Sequence, residues 1–134
     1  MNVLIDTTIW SEVFRKNKLS HMNDSIKQRL AELISEGRAK IIGPIRQEIL
    51  SGIATKSIFC KLSSSLSAFP DVEIASDDYV RAAQLYNLCR KKGIQGSHID
   101  FLICAVAEKH HMSIFTLDND FINYSKCIPV ILYT

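Results

Sequence analysis

Short apolar segments alternate with longer amphipathic segments along this chain. The short runs predict five buried strands: "NVLI" (2–5), "AKIIG" (39–43), "VEIA" (72–75), "SIFTL" (113–117) and "PVILY" (129–133). Between them, apolar residues recur every three or four positions, as they do on one face of a helix. Strands that alternate with helices are typical of an α/β fold, so we predict a three-layer α/β/α sandwich with a central, mainly parallel sheet.

Helices are predicted over residues 7–15, 24–38, 44–53, about 56–68, 79–93 and 98–111. The first is expected to turn three apolar side chains inward: Ile9, Val13 and Phe14. The second has an apolar face of four residues: Ile26, Leu30, Leu33 and Ile34. Asp24 or Ser25 is expected to cap it, and Gly37 to end it. Asp77 or Asp78 is expected to cap the helix over 79–93.

Composition indicates a globular protein rather than a strongly charged one. With 134 residues, 47% of them hydrophobic, residues 1–134 are expected to form a single domain around one core. Sixteen lysines and arginines against fourteen acids give a net charge of +2, which by itself does not indicate a nucleic-acid-binding protein. Two basic clusters, Arg15 to Lys18 and Arg90 to Lys92, can each be solvated surface.

The cysteines and the hydropathy favour a cytoplasmic protein. Four cysteines lie far apart without a CxxC pair, and no signal peptide or apolar run of roughly 18 residues is present, so no membrane association is expected. Cys104, within "FLICAVA", is expected to be a buried thiol. Neither the cysteines nor the four histidines have the spacing of zinc ligands.

Four carboxylates stand at positions where the pattern predicts burial or a strand end. Asp6 and Asp118 directly follow strands, and the carboxyl ends of parallel strands meet at one edge of a sheet. Glu48 completes the apolar face of the helix over 44–53, and Asp100 is the one early charge of the most apolar helix. Each has an ordinary alternative: a helix cap, an Asx turn, the helix dipole or a side chain that reaches solvent.

If these carboxylates converge, they need a cation, because like charges packed together cannot all stay ionised. An all-oxygen cluster suits Mg²⁺ or Mn²⁺. Such an ion with a substrate phosphate would form a phosphodiesterase site. The histidines do not suggest a catalytic base: His98 lies on another helix face than Asp100, and His110 and His111 end their helix.

The order and spacing of "VLIDTTIW", "IRQEILSGI", "HIDFLICAVAEKHH" and "FTLDNDF" resemble a PIN-domain ribonuclease of the VapC type, the toxin of a toxin–antitoxin pair. The resemblance spans essentially the whole chain. It implies an acidic catalytic and metal cluster of Asp6, Glu48, Asp100 and Asp118, with Asp120 as a further metal ligand. Thr7 and Thr116 match positions that orient the carboxylates. The loop "GIQGSH" before Asp100 differs from the proline-containing loop of many relatives, and it is expected to touch substrate.

The resemblance further implies hydrolysis of RNA with Mg²⁺ or Mn²⁺, a homodimer, and inhibition by a small antitoxin protein. An acidic centre needs cations elsewhere to hold the phosphate backbone, and the candidates are Arg15, Lys16, Lys18, Arg90, Lys91 and Lys92. Transfer, ribosomal and messenger RNA all stay open as substrates. Trp10 and Phe14 could belong to the core, a dimer surface or an antitoxin groove.

Other functions remain as alternatives. A metal-dependent phosphatase or phosphotransferase could use Asp6 as a nucleophile, but haloacid-dehalogenase-like enzymes need a second Asp two residues later, where Thr8 stands. A response-regulator receiver needs paired acids near its N-terminus and a late lysine, which this chain lacks. A PIN-like module that only binds a partner is the third alternative.

Overall fold

A computed structural model describes residues 1–14 and 21–134. Within these residues there are three strands: β1 (Val3–Ile5), β2 (Ala39–Lys40) and β3 (Ser113–Phe115). The helices are α1 (Thr7–Phe14), α2 (His21–Ser35), α3 (Gly43–Leu50), α4 (Lys56–Leu66), α5 (Ser76–Lys91), α6 (His98–Lys109) and α7 (Asp120–Tyr124). None of the described helices is long and apolar enough to cross a membrane.

The strands form a parallel sheet in the order β2-β1-β3. Val3 of β1 is paired with Ala39 on one side and with Ser113 on the other. Every residue of β1 and β3 is buried, which requires helices on both faces of the sheet. The predicted α/β architecture with a parallel sheet between helices is therefore confirmed.

Two groups of helices cover this sheet. In the first, α1 contacts α2 and α3, and α3 contacts α4; in the second, α5 packs along α6, which contacts β3. Helix α6 is buried without interruption from Phe101 to Ala107, including the thiol of Cys104, as its apolar sequence predicts. Trp10 of α1 lies in the core, and its indole Nε1 donates to the carbonyl of Ile5 at 3.2 Å. Phe14 is 40% exposed, so the prediction that it faces inward is wrong.

Two predicted strands are wrong. Next to "VEIA", the isolated bridge joins Ile41 to Asp71, the residue before the segment, and Ala75 at the end of the segment already caps α5. In "PVILY", only Leu132 is bridged to Ile114. Both segments lie at the edges of the sheet, where a strand has a partner on one side only.

The helix ends also differ from the pattern-based expectation. Helix α2 begins at His21, so Asp24 lies in its first turn and neither Asp24 nor Ser25 is the cap. Ala75 occupies the N-cap position of α5, and the Asp78 carboxylate accepts its N–H at 2.8 Å, which is one half of a capping box. Gly37, with φ of +68°, follows the end of α2 as predicted. Ile34 is 39% exposed, unlike the other three residues of its predicted apolar face.

Candidate metal centre

A polar pocket of about 340 Å³ opens at the carboxyl end of the sheet. It is lined by nine residues: Asp6, Thr7, Thr8, Ser11, Glu12, Glu48, Asp100, Leu117 and Asp118. These come from the end of β1, from α1, α3 and the start of α6, and from the loop after β3. Four carboxylates singled out from the sequence thus meet in one place, because β1 and β3 are adjacent and parallel and both end there.

Asp6 is held by two threonine hydroxyls. Its side chain is 6% exposed, and its Oδ2 accepts from Thr116 Oγ1 at 2.7 Å and from Thr8 Oγ1 at 2.9 Å. Each hydroxyl in turn accepts a backbone N–H: Thr116 from Asp118 at 2.9 Å and Thr8 from Leu117 at 3.0 Å. The two hydroxyl oxygens lie 3.3 Å apart, and each can donate its proton to the Asp6 carboxylate while it accepts its backbone N–H.

The role of Thr8 was not foreseen from the sequence. Thr116 was expected to orient a carboxylate, and it contacts Asp6. The signal for Thr8 was its spacing, since a hydroxyl residue two positions after an Asp at a helix start can hydrogen-bond back to it.

Glu48 lies at the mouth of the pocket rather than on a buried helix face. Ile45 and Ile49 of α3 are buried, but Glu48 is exposed, so its predicted burial is wrong. Its Oε2 accepts from Thr7 Oγ1 at 3.2 Å, which ties α3 to the start of α1. Among the five carboxylates that line the pocket, Glu48 is the exposed one, so its charge is desolvated least.

Asp100 is held from two sides at the N-terminus of α6. Its backbone N–H donates to Ser97 Oγ, the N-cap side chain, at 3.1 Å, and its Oδ2 accepts from the Tyr124 hydroxyl at 2.6 Å. Burial raises the pKa of Asp100; hydrogen bonds from Tyr124 and Ser97 oppose this, and the charges of Asp118 and Asp6 add to it. Burial and the Asp100 charge also raise the pKa of Tyr124, which stays a protonated donor. Neither Ser97 nor Tyr124 was identified from the sequence.

Three carboxylates form a group that could hold a cation. One oxygen each of Asp100, Asp118 and Asp120 lies within 4.8 Å of the others. Asp118 Oδ1 accepts the backbone N–H of Asp120 at 2.9 Å, which fixes the turn between these two residues. The set contains only oxygen donors, and hard cations such as Mg²⁺ and Mn²⁺ prefer these. The donors present therefore fit such an ion.

None of the basic candidates within the described residues lines this pocket. Arg90, Lys91 and Lys92 are exposed at the C-terminal end of α5. Arg15, Lys16 and Lys18 lie outside the described residues. Two of the histidines lie at the ends of α6: His98 is its exposed first residue, and His110 follows its last turn.

Comparisons with known proteins agree with this geometry. The PIN domain family model matches residues 3–126. Among solved structures, the chain is similar to FitAcB from Neisseria gonorrhoeae, with a TM-score of 0.79 and 20% identity over 98% of this chain and 96% of that chain. It is similar to VapBC2 from Rickettsia felis bound to a DNA fragment from their promoter, with a TM-score of 0.76 and 19% identity over 99% and 98% of the two chains.

A toxin–antitoxin complex from Klebsiella pneumoniae is also similar, with a TM-score of 0.71 and 21% identity over 98% of this chain and 97% of that chain. A search among curated proteins gives no significant sequence match. The structural likenesses concern the fold, and the family match covers all of the pocket's acidic residues. The chain belongs to the PIN domain family.

Proposed function

We propose that this chain is a metal-dependent endoribonuclease that works as the toxin of a toxin–antitoxin pair, with residues 1–134 acting as one domain. The observation that carries the proposal is the convergence of Asp6, Glu48, Asp100 and Asp118 on one pocket. A cluster of this charge, built at the carboxyl end of a parallel sheet, is stable when a divalent cation neutralises it. Membership of the PIN domain family supports nuclease chemistry.

The pocket residues would divide the work as follows. Asp100, Asp118 and Asp120 would hold Mg²⁺ or Mn²⁺, with Asp6 and Glu48 completing the acidic wall. When bound, the ion supplies an activated water and neutralises charge on the substrate phosphate. Thr8 and Thr116 keep Asp6 in one orientation, and Thr7 does the same for Glu48. Among the described residues that line the pocket none is basic, so a carboxylate must accept any proton that the protein takes.

RNA binding would use the basic end of α5. The Arg90 guanidinium lies over the Tyr86 ring at 5.9 Å, and Tyr86 stacks on His98 at 5.2 Å. His98 begins α6, two residues before Asp100, so these contacts join the basic end of α5 to the helix that carries Asp100. Lys91 and Lys92 extend the positive charge. Arg15, Lys16 and Lys18, which follow α1, remain candidates for a second phosphate contact.

Two apolar surfaces support protein partners. A groove of about 390 Å³ is lined by Phe14 of α1 and by Ile58 and Leu62 of α4, and it would suit an apolar segment of a small antitoxin. Tyr79, Val80 and Ile99 expose further apolar area along α5 and α6, which would suit a second copy of the chain. That the similar structures include a toxin–antitoxin complex supports an antitoxin partner here.

The test is RNA cleavage by purified protein with Mn²⁺, Mg²⁺ or a chelator. Asp6→Asn and Asp100→Asn should each reduce cleavage by more than ~100-fold, beyond the usual effect of losing an outer-shell partner. Glu73→Gln, an exposed carboxylate outside the pocket, is the matched control and should retain activity. Attack by water rather than by the RNA 2′-hydroxyl predicts product ends without a cyclic phosphate. Retained cleavage in both Asp variants refutes the proposal. Loss of cleavage in Glu73→Gln would show that the effect of removing a carboxylate does not depend on its position in the pocket.

A further inference from the structure

We propose that Tyr124 is a positioning residue that fixes how Asp100 presents its carboxylate to the cation. The inference rests on the proposed function, in that it takes the acidic pocket to bind a divalent ion. The Tyr124 hydroxyl donates to Asp100 Oδ2 at 2.6 Å, a short distance typical of a bond to a carboxylate. Because Oδ2 already accepts this hydrogen bond, Oδ1 is the freer oxygen to serve as a ligand.

The tyrosine is placed rigidly enough to act in this way. Tyr124 is 0% exposed, and its ring packs against Phe101 at 4.8 Å and against Phe121 at 5.2 Å between ring centroids. Phe101 directly follows Asp100 on α6, so one neighbour of the ring moves together with the carboxylate. A side chain locked by packing on both sides holds its hydroxyl at a fixed distance from its partner.

Gly96 gives the ring its room. A Cβ on Gly96 would lie 2.7 Å from Cζ and 2.8 Å from Cε1 of Tyr124, and closer still to the hydroxyl oxygen. Real Cβ contacts of that length essentially never occur, so any other residue at position 96 would push the ring or the loop away. The loop "GIQGSH" therefore has a glycine at the position that packs directly against the Tyr124 ring.

The second oxygen of Asp100 matters because it decides the number of bonds that this residue makes to the ion. Magnesium and manganese sites of this kind need near-octahedral geometry at short distance. A carboxylate that rotates freely can bind through either oxygen or both, whereas one held at Oδ2 keeps a fixed orientation that favours Oδ1 as the ligand. Outer-shell donors to metal ligands typically contribute 10–100-fold to metal affinity.

The experiment measures Mn²⁺ binding by calorimetry without RNA. Tyr124→Phe removes only the hydroxyl and should weaken Mn²⁺ binding by roughly 10–100-fold. Tyr133→Phe removes a hydroxyl from a tyrosine that packs on Phe115 and does not line the pocket; this control should stay within about twofold of wild type. Gly96→Ala disturbs the same contact from the other side and should weaken binding as well, with folding of all variants checked by circular dichroism.

Cleavage kinetics separate positioning from general damage. Raising Mn²⁺ by the factor lost in affinity should restore the cleavage rate of Tyr124→Phe, and the KM for RNA should not change, because Tyr124 does not line the pocket. Unchanged Mn²⁺ affinity in folded Tyr124→Phe, or a rate that excess Mn²⁺ cannot restore, overturns the inference while the nuclease proposal stands. Wild-type protein that binds Mn²⁺ in a Tyr124-dependent way but cuts no RNA refutes the nuclease proposal alone. Wild-type protein that binds no Mn²⁺ overturns both.

Discussion

The two threonine hydroxyls on Asp6 predict a measurable and cooperative contribution to stability. Thr116→Val keeps the shape of the side chain but removes a 2.7 Å bond to a buried carboxylate. Hydrogen bonds to charged groups contribute about 1.5–3 kcal/mol. The Asp118 N–H also loses its acceptor, but Thr8 still donates to Asp6. We therefore expect a loss of about 2–3 kcal/mol, and about 1–2 kcal/mol for Thr8→Val, whose bond is longer and whose backbone donor is exposed.

The double variant, Thr8→Val with Thr116→Val, tests whether the two hydroxyls act together on Asp6. With both hydroxyls gone, Asp6 is left 6% exposed and without these donors, in a pocket that already contains other carboxylates. Because both hydroxyls share Oδ2 as their acceptor, the double variant should lose more than the sum of the single variants, by about 1 kcal/mol. For a chain of this size, the single change at Thr116 corresponds to a Tm lowered by roughly 6–15 °C.

Urea unfolding at pH 7 in the presence of a chelator measures these free energies without a contribution from bound cations. Thr55→Val is the matched control: Thr55 is exposed, stands at the N-cap of α4 and makes no side-chain cap bond, so its loss should be within about 0.5 kcal/mol. A Thr116→Val variant as stable as Thr55→Val, or strict additivity in the double variant, would refute the idea that the hydroxyls hold Asp6.

Three further outcomes are expected. Burial raises the pKa of Asp100 in the folded state, so this residue ionises at lower pH in the unfolded chain. The stability of the chelated protein should therefore fall as pH rises through both pKa values. Urea titrations at several pH values should show this fall, and Asp100→Asn should flatten it. Arg46→Met should lower the free energy of unfolding by about 2–4 kcal/mol, because Arg46 binds Asp71 at 2.9 Å and the backbone carbonyls of Leu66 and Phe69 at and after the end of α4; an unchanged urea midpoint would contradict this. In native protein, iodoacetamide should label the exposed Cys60 well before the buried Cys89, because burial raises the pKa of the Cys89 thiol to about 12. Peptide mass mapping measures the order of labelling.

The architecture and the acidic residues could be predicted because both rest on strong local signals. Uninterrupted apolar runs mark β1, β3 and α6, and a carboxylate directly after a strand stands out against them. Asp6 and Asp118 meet because parallel neighbouring strands end at one edge, which follows from topology alone.

The parts that were missed depend on distant contacts. Whether "PVILY" pairs along its length or only at Leu132 is decided by the edge of the sheet, not by its apolar composition. Glu48 fits the period of a buried face, but the pocket opens beside it, and periodicity does not reveal cavities. Tyr124 reads as an apolar core residue in sequence; only the fold brings its hydroxyl to Asp100, which is 24 residues earlier.

The hydrogen bond between Thr116 and Asp6 joins residues 110 positions apart. Such a contact forms late, because a long loop must close before it is gained. A growing chain contains Asp6 long before Thr116 and Asp118 have been synthesised. An incomplete chain therefore cannot assemble the acidic pocket. For a protein proposed to destroy RNA, this order of events would keep each molecule harmless while it is still being translated.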